Sequence, residues 1–236
     1  MNFLTASFAD DFYLNFIKDD RYLWLVDGLK TTLIITILAS LLGIVIGFLV
    51  AIIRSTYDKT GRPKLLNAIC VVYLTVIRGT PSMIQLLIVN YVIFASVNLN
   101  KILVGTIAFG INSGAYVAEI VRSGIMSVDK GQTEAGRSLG LNFKQTMSMI
   151  VMPQAFKNVL PALVNELIVL LKETSIIGYI GMMDLTKGAM LIQSRTYNAF
   201  MPLIAAALIY LAIVMLLSFL MTRLERRLRK NERREG

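Results

Sequence analysis

The sequence predicts an all-α integral membrane protein with five membrane-spanning helices, an extracytoplasmic N-terminus and a cytoplasmic C-terminus. Of its 236 residues 56% are hydrophobic and the mean hydropathy is +0.65, which is too apolar for a soluble domain. Apolar runs alternate with short polar segments, and a bilayer crossing needs about 20 apolar residues. The length therefore leaves room for about five or six crossings and little else.

The orientation follows from the placement of basic residues. Sixteen of the 24 Lys and Arg residues lie in three segments, 54–64, 122–158 and 222–236, which alternate with segments that hold few. Loops rich in Lys and Arg stay in the cytoplasm. The net charge of +9 thus records membrane topology, and a nucleic-acid partner is not expected.

Residues 1–28 are predicted to form an extracytoplasmic, interfacial segment, because aromatic residues alternate there with acidic ones. The first span is expected over 29–53. It carries Ala39, Gly43, Gly47 and Ala51 at four-residue intervals, a stripe that allows another helix to approach closely.

The next apolar stretch, 65–94, is interrupted by Arg78-Gly79-Thr80-Pro81. Proline and the residue before it disfavour a continuous helix. We therefore expect a separate or slanted helix before the break and a second span over 83–97.

The third span is expected over 102–121 and presents Asn112, Tyr116 and Glu119 on one helical face. The fourth is expected over 160–180, a polar loop over 182–199, and the fifth span over 200–221. A basic cytoplasmic tail, 225–236, completes the chain.

A long polar interruption separates the third and fourth spans. Asp129 is a plausible N-cap with Gln132 as its capping-box partner, and Gly140 stands where a left-handed C-cap is favoured. The pattern predicts a helix over 130–140, about 15 Å long, on the cytoplasmic side.

This segment resembles a known signature. Glu134-Ala135-Gly136, then Gly140, then Ile150-x-Met152-Pro153 is similar to the EAA motif of importer-type ABC permeases, with Gly136 in place of Ala and Met152 in place of Leu. The resemblance implies that 130–140 is the coupling helix, which docks into a separate ATPase subunit. The implied interface residues are Glu134, Ala135, Gly136, Arg137, Leu139 and Gly140.

Charged residues recur at predicted membrane depth, where each costs about 2.5–3.5 kcal/mol. They are Arg78, Glu119, Glu166, Lys172 and Glu173. One structural explanation of such charges is ion pairing between helices inside the bundle. Another, for a lysine, is that its long side chain extends to the membrane interface. The functional alternative is a polar pocket for a zwitterion. Arg78 would then bind a carboxylate bidentately, and Glu119 or Glu173 would bind an ammonium group.

Three further runs resemble the polar amino-acid permeases, the histidine/glutamate/arginine/opine group. They are Arg78-Gly79-Thr80-Pro81 with Gln85, residues 113–125 with Ser123 in place of a glycine, and Leu171-Lys172-Glu173-Thr174-Ser175. The similarity implies a MetI-like transmembrane domain over 29–224 in a bacterial inner membrane. The pocket residues that we expect are Arg78, Thr80, Gln85, Asn112, Tyr116, Glu119, Glu166, Lys172, Glu173 and Ser175.

The resemblance also implies an assembly. Expected partners are two ATPase subunits, a second permease that is a copy or a paralogue, an extracytoplasmic solute-binding protein, an amino-acid substrate and membrane lipid. The sequence has no G-x-x-x-x-G-K-[ST] run, so ATP and Mg²⁺ are expected on the partner and this chain is not expected to be an enzyme. No cofactor or metal is expected on a chain without histidine.

Three alternatives remain at this point. A related ABC permease for methionine or peptides would share the EAA segment but not the runs around Arg78 and Lys172. An ATPase-independent carrier or channel would be expected to show an inverted repeat, which the sequence lacks. An intramembrane enzyme would need a defensible catalytic spacing, and neither histidine nor paired carboxylates supply one.

Overall fold

The computed structural model describes residues 8–235, and in that range the chain is helical with no β-strand, so the predicted all-α fold is confirmed. Short π-helical and 3-10 turns join several of the helices. The helices are α1 (Phe8–Phe12), α2 (Tyr22–Thr60), α3 (Lys64–Gly79), α4 (Ser82–Ile88), α5 (Lys101–Met126), α6 (Lys130–Ser138), α7 (Phe143–Thr146), α8 (Met152–Glu173), α9 (Leu185–Thr196) and α10 (Phe200–Glu235).

Within the described range, three helices are long and apolar enough to cross a membrane: α2, α5 and α10. A fourth crossing results if α3 and the segment Ser82–Ile93 count as one bent span. The two parts meet at 111°, as expected from the break at Pro81. The predicted fourth span corresponds to α8 followed by a 3-10 turn, Thr174–Ile180.

The core of the bundle is the contact between α2 and α5. Ala39 and Ala51 on α2 are fully buried. A methyl group added at Gly43 would lie 3.0 Å from the side chain of Ser113 on α5, and one added at Gly114 would lie 2.8 Å from Ile46 Cγ2 on α2. The predicted small-residue stripe is therefore confirmed, because the two backbones are too close for larger side chains.

Helix α6 begins and ends largely as the sequence indicates. Asp129 caps it by accepting a 2.6 Å hydrogen bond from the backbone N–H of Gly131. At the other end Gly140 has φ +79°, and the N–H groups of Gly140 and Leu141 bond back to Arg137 and Gly136 in a Schellman motif.

The predicted capping box at Asp129 is wrong. Gln132 Oε1 instead accepts a 3.3 Å hydrogen bond from Gln154 on α8. A capping box does form thirteen residues later, between Asn142 and Gln145 at the start of α7. The tertiary contact with α8 redirects the Gln132 side chain away from its own helix end.

One further expectation needs correction. Residues 182–199 are not a loop, since they contain α9, which Asp184 caps by accepting from the N–H groups of Thr186 and Lys187. The helix buries Leu185, Ala189 and Ile192 on one face. The polar residues between them make this helical spacing of apolar residues difficult to recognise in the sequence. Helix α10 contains the predicted span of 200–221, and the helix continues as far as Glu235.

Candidate functional site

The break between α3 and α4 is held by a hydrogen-bonded network around Gln85. Its amide nitrogen donates to the carbonyl of Ile77 at 2.8 Å, and to the carbonyl and hydroxyl oxygens of Thr80 at 3.1 and 2.7 Å. Its Oε1 accepts a 2.8 Å bond from Asn112 on α5. The carbonyls that Pro81 leaves without helical partners are thereby satisfied, as an apolar environment requires.

Arg78, the residue just before the break, faces α5. Its Nη1 lies 3.9 Å from Oε1 of Glu119, and its guanidinium stands 5.8 Å from the ring centroid of Tyr116. The two charged side chains are 45% and 32% exposed. A long, partly solvated pair of this kind contributes little stability, so either partner can be exchanged for a charged solute at small cost.

Arg78, Tyr116 and Glu119 line one end of a cleft of about 800 Å³ between α5 and α8. Glu166 enters it from α8 and accepts a 2.9 Å hydrogen bond from Ser113. This end of the cleft thus brings together one guanidinium and two carboxylates that are far apart in sequence.

The other end of the same cleft is also polar, and this end was missed by the sequence reasoning. Asn158 on α8 donates a 2.9 Å hydrogen bond to Ser127 at the end of α5. Lys157 and Glu225 line the cleft there, the latter from α10. The full lining comprises Arg78, Tyr116, Glu119, Ile120, Ser123, Gly124, Ser127, Lys157, Asn158, Pro161, Ala162, Glu166 and Glu225.

Two of the residues at this end, Ser123 and Ser127, could have been predicted from the sequence. Ser123 and Ser127 continue the face of Glu119 at four-residue intervals, so the helical period could have found them. Glu225 gave no signal, because it stands within the charged run of the tail.

Arg78 also borders a second cavity of about 540 Å³, which is lined by residues of α2, α3 and α5. Arg54 on α2 lines this cavity and donates a 3.0 Å hydrogen bond to Asn67.

Not all the predicted pocket residues meet at one place. Lys172 and Ser175 line a separate cavity of about 430 Å³, together with Thr186 and Tyr210. Glu173, half-buried at the end of α8, lines none of these three cavities. Thr80, Gln85 and Asn112 belong to the network at the break. Among the side chains that the structure describes, which leave out residues 1–7, 59 and 227–236, no group of three or more His, Cys, Asp and Glu could hold a metal ion.

The residues predicted to contact an ATPase lie on and just after α6. Glu134, Ala135, Arg137, Leu139 and Gly140 are exposed. Gly136 is buried instead, and a methyl group there would lie 2.8 Å from Thr146 and 3.0 Å from Ile150. The glycine that departs from the EAA pattern thus allows α6 to pack closely on the segment that follows it.

A bundle of apolar helices around a polar cleft, with an amphipathic helix exposed at one end, defines a membrane-embedded transport subunit. The chain belongs to the family of binding-protein-dependent transport system inner membrane components, whose model matches residues 43–230. It is therefore a multi-pass inner-membrane component of an ABC importer, and it is not the ATPase. The expected class of protein and its membrane location are confirmed.

Named relatives agree with this assignment. The chain is 39% identical over 210 residues to a putative glutamine transport system permease protein of Rickettsia typhi, which covers 88% of this chain and 94% of the relative. It is 37% identical to the arginine transport system permease protein of Bacillus subtilis, over 89% of this chain and 94% of that one. It is 35% identical to the glutamine transport system permease protein of Escherichia coli, and the match covers 87% of this chain and 93% of that relative.

Solved structures support the fold. An amino acid ABC transporter crystallised with histidines superimposes with a TM-score of 0.84 at 40% identity, covering 95% of this chain and 100% of that chain. An inward-facing structure of the MetNI methionine ABC transporter matches with a TM-score of 0.74 at 19% identity, and the match covers 88% of this chain and 97% of that chain. At this identity the match supports the fold alone. The predicted MetI-like fold is confirmed.

Proposed function

We propose that this chain forms part of the translocation path for a polar amino acid delivered by a solute-binding protein. The observation that carries the proposal is the juxtaposition of Arg78, Glu119 and Glu166 in one cleft beside a helix break. The relatives named as glutamine and arginine permeases support an amino acid as the solute.

The geometry suits the groups that all free amino acids share. The guanidinium of Arg78 offers a planar pair of donors to the α-carboxylate. Glu119 and Glu166 are acceptors for the α-ammonium group or for a cationic side chain. The Arg78–Glu119 pair at 3.9 Å is loose enough to open and admit the solute between its partners.

The remaining predicted pocket residues take different parts in this proposal. We assign Thr80, Gln85 and Asn112 to holding the bend that places Arg78, because their polar groups bond to one another. Lys172 and Ser175 would contribute to the separate cavity beside α10. Glu173 stays a predicted contact of the pathway.

Helix α6 is the proposed contact with the ATPase, on the cytoplasmic side, with the N-terminus of the chain outside. The exposed Glu134, Ala135, Arg137, Leu139 and Gly140 would form the docking face. The hydrogen bond between Gln132 and Gln154 links α6 to α8. Through this link, a displacement of α6 by the ATPase would move α8 and the cleft that it lines. The proposed assembly holds two ATPase subunits, two permease subunits and one binding protein.

Transport by the reconstituted complex tests the proposal. The chain, its ATPase and its solute-binding protein are placed in proteoliposomes, and ATP-driven uptake of radiolabelled glutamine, arginine, histidine, methionine and a dipeptide is compared. We expect uptake of at least one polar amino acid that stops when ATP is withheld. Uptake of only methionine or peptide, or uptake that needs no ATPase, would overturn the proposal.

A further inference from the structure

We propose that the end of the cleft opposite Arg78 is a second binding station for the transported amino acid, formed by Lys157, Glu225, Asn158 and Ser127. The inference rests on the proposed function and extends it. In the proposed orientation this end faces the cytoplasm, and the station would hold the solute after it leaves Arg78 and before it is released.

The two ends of the cleft are well separated. Helices α5 and α8 are antiparallel there, because Ser113 pairs with Glu166 while Ser127 pairs with Asn158. Eight residues of α5 separate Glu119 from Ser127, a rise of about 12 Å along a helix. The α-carboxylate and α-ammonium groups of one amino acid are attached to a single carbon atom. They cannot engage both ends of the cleft together.

The end opposite Arg78, like the Arg78 end, carries charges of both signs. Lys157 on α8 brings a positive charge to the lining at this end, and the half-buried Glu225 on α10 brings a negative one. Three different helices therefore contribute to this end, as they do around Arg78.

A hydrogen-bonded pair supplies the neutral polar groups. Ser127 donates to the carbonyl of Gly124 at 2.8 Å, and the Asn158 amide nitrogen donates to Ser127 at 2.9 Å. The Asn158 side chain is thereby fixed through its nitrogen, and its Oδ1 has no partner among the described residues. That oxygen is available to accept from an ammonium group of the solute.

The size of the cleft agrees with two stations. Its volume of about 800 Å³ falls in the range of pockets that hold drug-sized ligands, which are larger than a free amino acid. Because the lining is continuous from Arg78 to Glu225, a solute released at one end remains in a polar environment on its way to the other.

The number of bound amino acids tests the second station. Radiolabelled L-glutamine and L-arginine are titrated by equilibrium dialysis into the purified, nucleotide-free permease–ATPase complex without binding protein. We expect two equivalents per copy of this chain for the amino acid that is transported. Lys157→Gln and Glu225→Gln should each weaken one of the two at least tenfold, whereas Arg78→Gln should weaken the other.

Two controls separate charge recognition from loss of structure. Arg226→Gln removes a charge from the neighbouring position on α10, is exposed and does not line the cleft, so it should retain both equivalents. Lys157→Arg keeps the positive charge and should also retain both.

One equivalent in the unmodified complex, or two equivalents of unchanged affinity in both Lys157→Gln and Glu225→Gln, would overturn the second station. ATP-driven uptake would persist in that case, and the proposed function would stand. Absence of ATP-driven uptake of every amino acid tested would instead overturn the proposed function itself.

Discussion

The side-chain amide of Asn112, in the middle of α5, donates a 2.8 Å hydrogen bond to Gln85, which in turn donates to the open carbonyls at the end of α3. One buried amide thus ties the break at Pro81 to α5, the most buried of the three candidate membrane-spanning helices among the described residues. The position of Arg78 depends on this tie, because Arg78 is the second-last residue of α3.

Replacement of Gln85 by Leu should destabilise the break. The change leaves the carbonyls of Ile77 and Thr80 without their donor, and the net loss of a hydrogen bond costs about 0.5–1.5 kcal/mol. The apparent melting temperature of the protein in nanodiscs should fall. Gln85→Glu, which keeps an acceptor for Asn112 but removes the donors, should be no better. A Gln85→Leu protein as stable as the original would contradict the role of the network.

Addition of a methyl group at Gly47 should separate α2 from α5. A Cβ there overlaps the side chain of Val117 and lies 2.9 Å from the backbone nitrogen of Ala118. Overpacking of this kind costs about 1–3 kcal/mol. Gly79→Ala is the matched control, since a methyl group at Gly79 meets nothing within 4 Å. Thermal denaturation of the two variants side by side measures the difference, and equal melting temperatures would refute the close contact.

Replacement of Arg78 by Gln should reduce ATP-driven amino-acid uptake while the complex still assembles. Loss of the guanidinium removes the proposed carboxylate contact, and we expect an approximately tenfold rise in KM for transport, equivalent to about 1.4 kcal/mol. Lys30→Gln serves as the control, because Lys30 forms an exposed pair with Asp27 away from the cleft. Uptake by Arg78→Gln at the unmodified level would remove this residue from the pathway.

Reversal of the charge at Glu134 should uncouple ATP hydrolysis by the ATPase from solute transport. Glu134 is exposed on α6, so Glu134→Lys should leave the fold intact and disrupt docking to the ATPase. Solute-stimulated ATP hydrolysis by the assembled complex is the measurement, and we expect it to be lost. Asp10→Lys makes the same change on the exposed α1 and should have no effect. Normal stimulation in Glu134→Lys would place the docking surface elsewhere.

Local patterns were sufficient for much of the fold. The apolar runs indicated α2, α5 and α10, and Pro81 indicated the bend of 111° because a proline acts through its immediate neighbours. Gly140 indicated the end of α6 for the same reason. The pattern failed at α9, where a helix that is buried on one narrow face contains too many polar residues to be distinguished from a loop.

The sequence by itself determined the membrane class, the break at Pro81, the family signature and the membrane-depth charges, because each depends on residues near one another in the chain. Only the tertiary structure decided which of those charges meet. It grouped Arg78 with Glu119 and Glu166, assigned Lys172 to another cavity, and brought Lys157 and Glu225 to the same cleft. The physical reason is that a shared cavity depends on how antiparallel helices are aligned, and that alignment is fixed by close packing between distant segments, such as Gly47 against Val117.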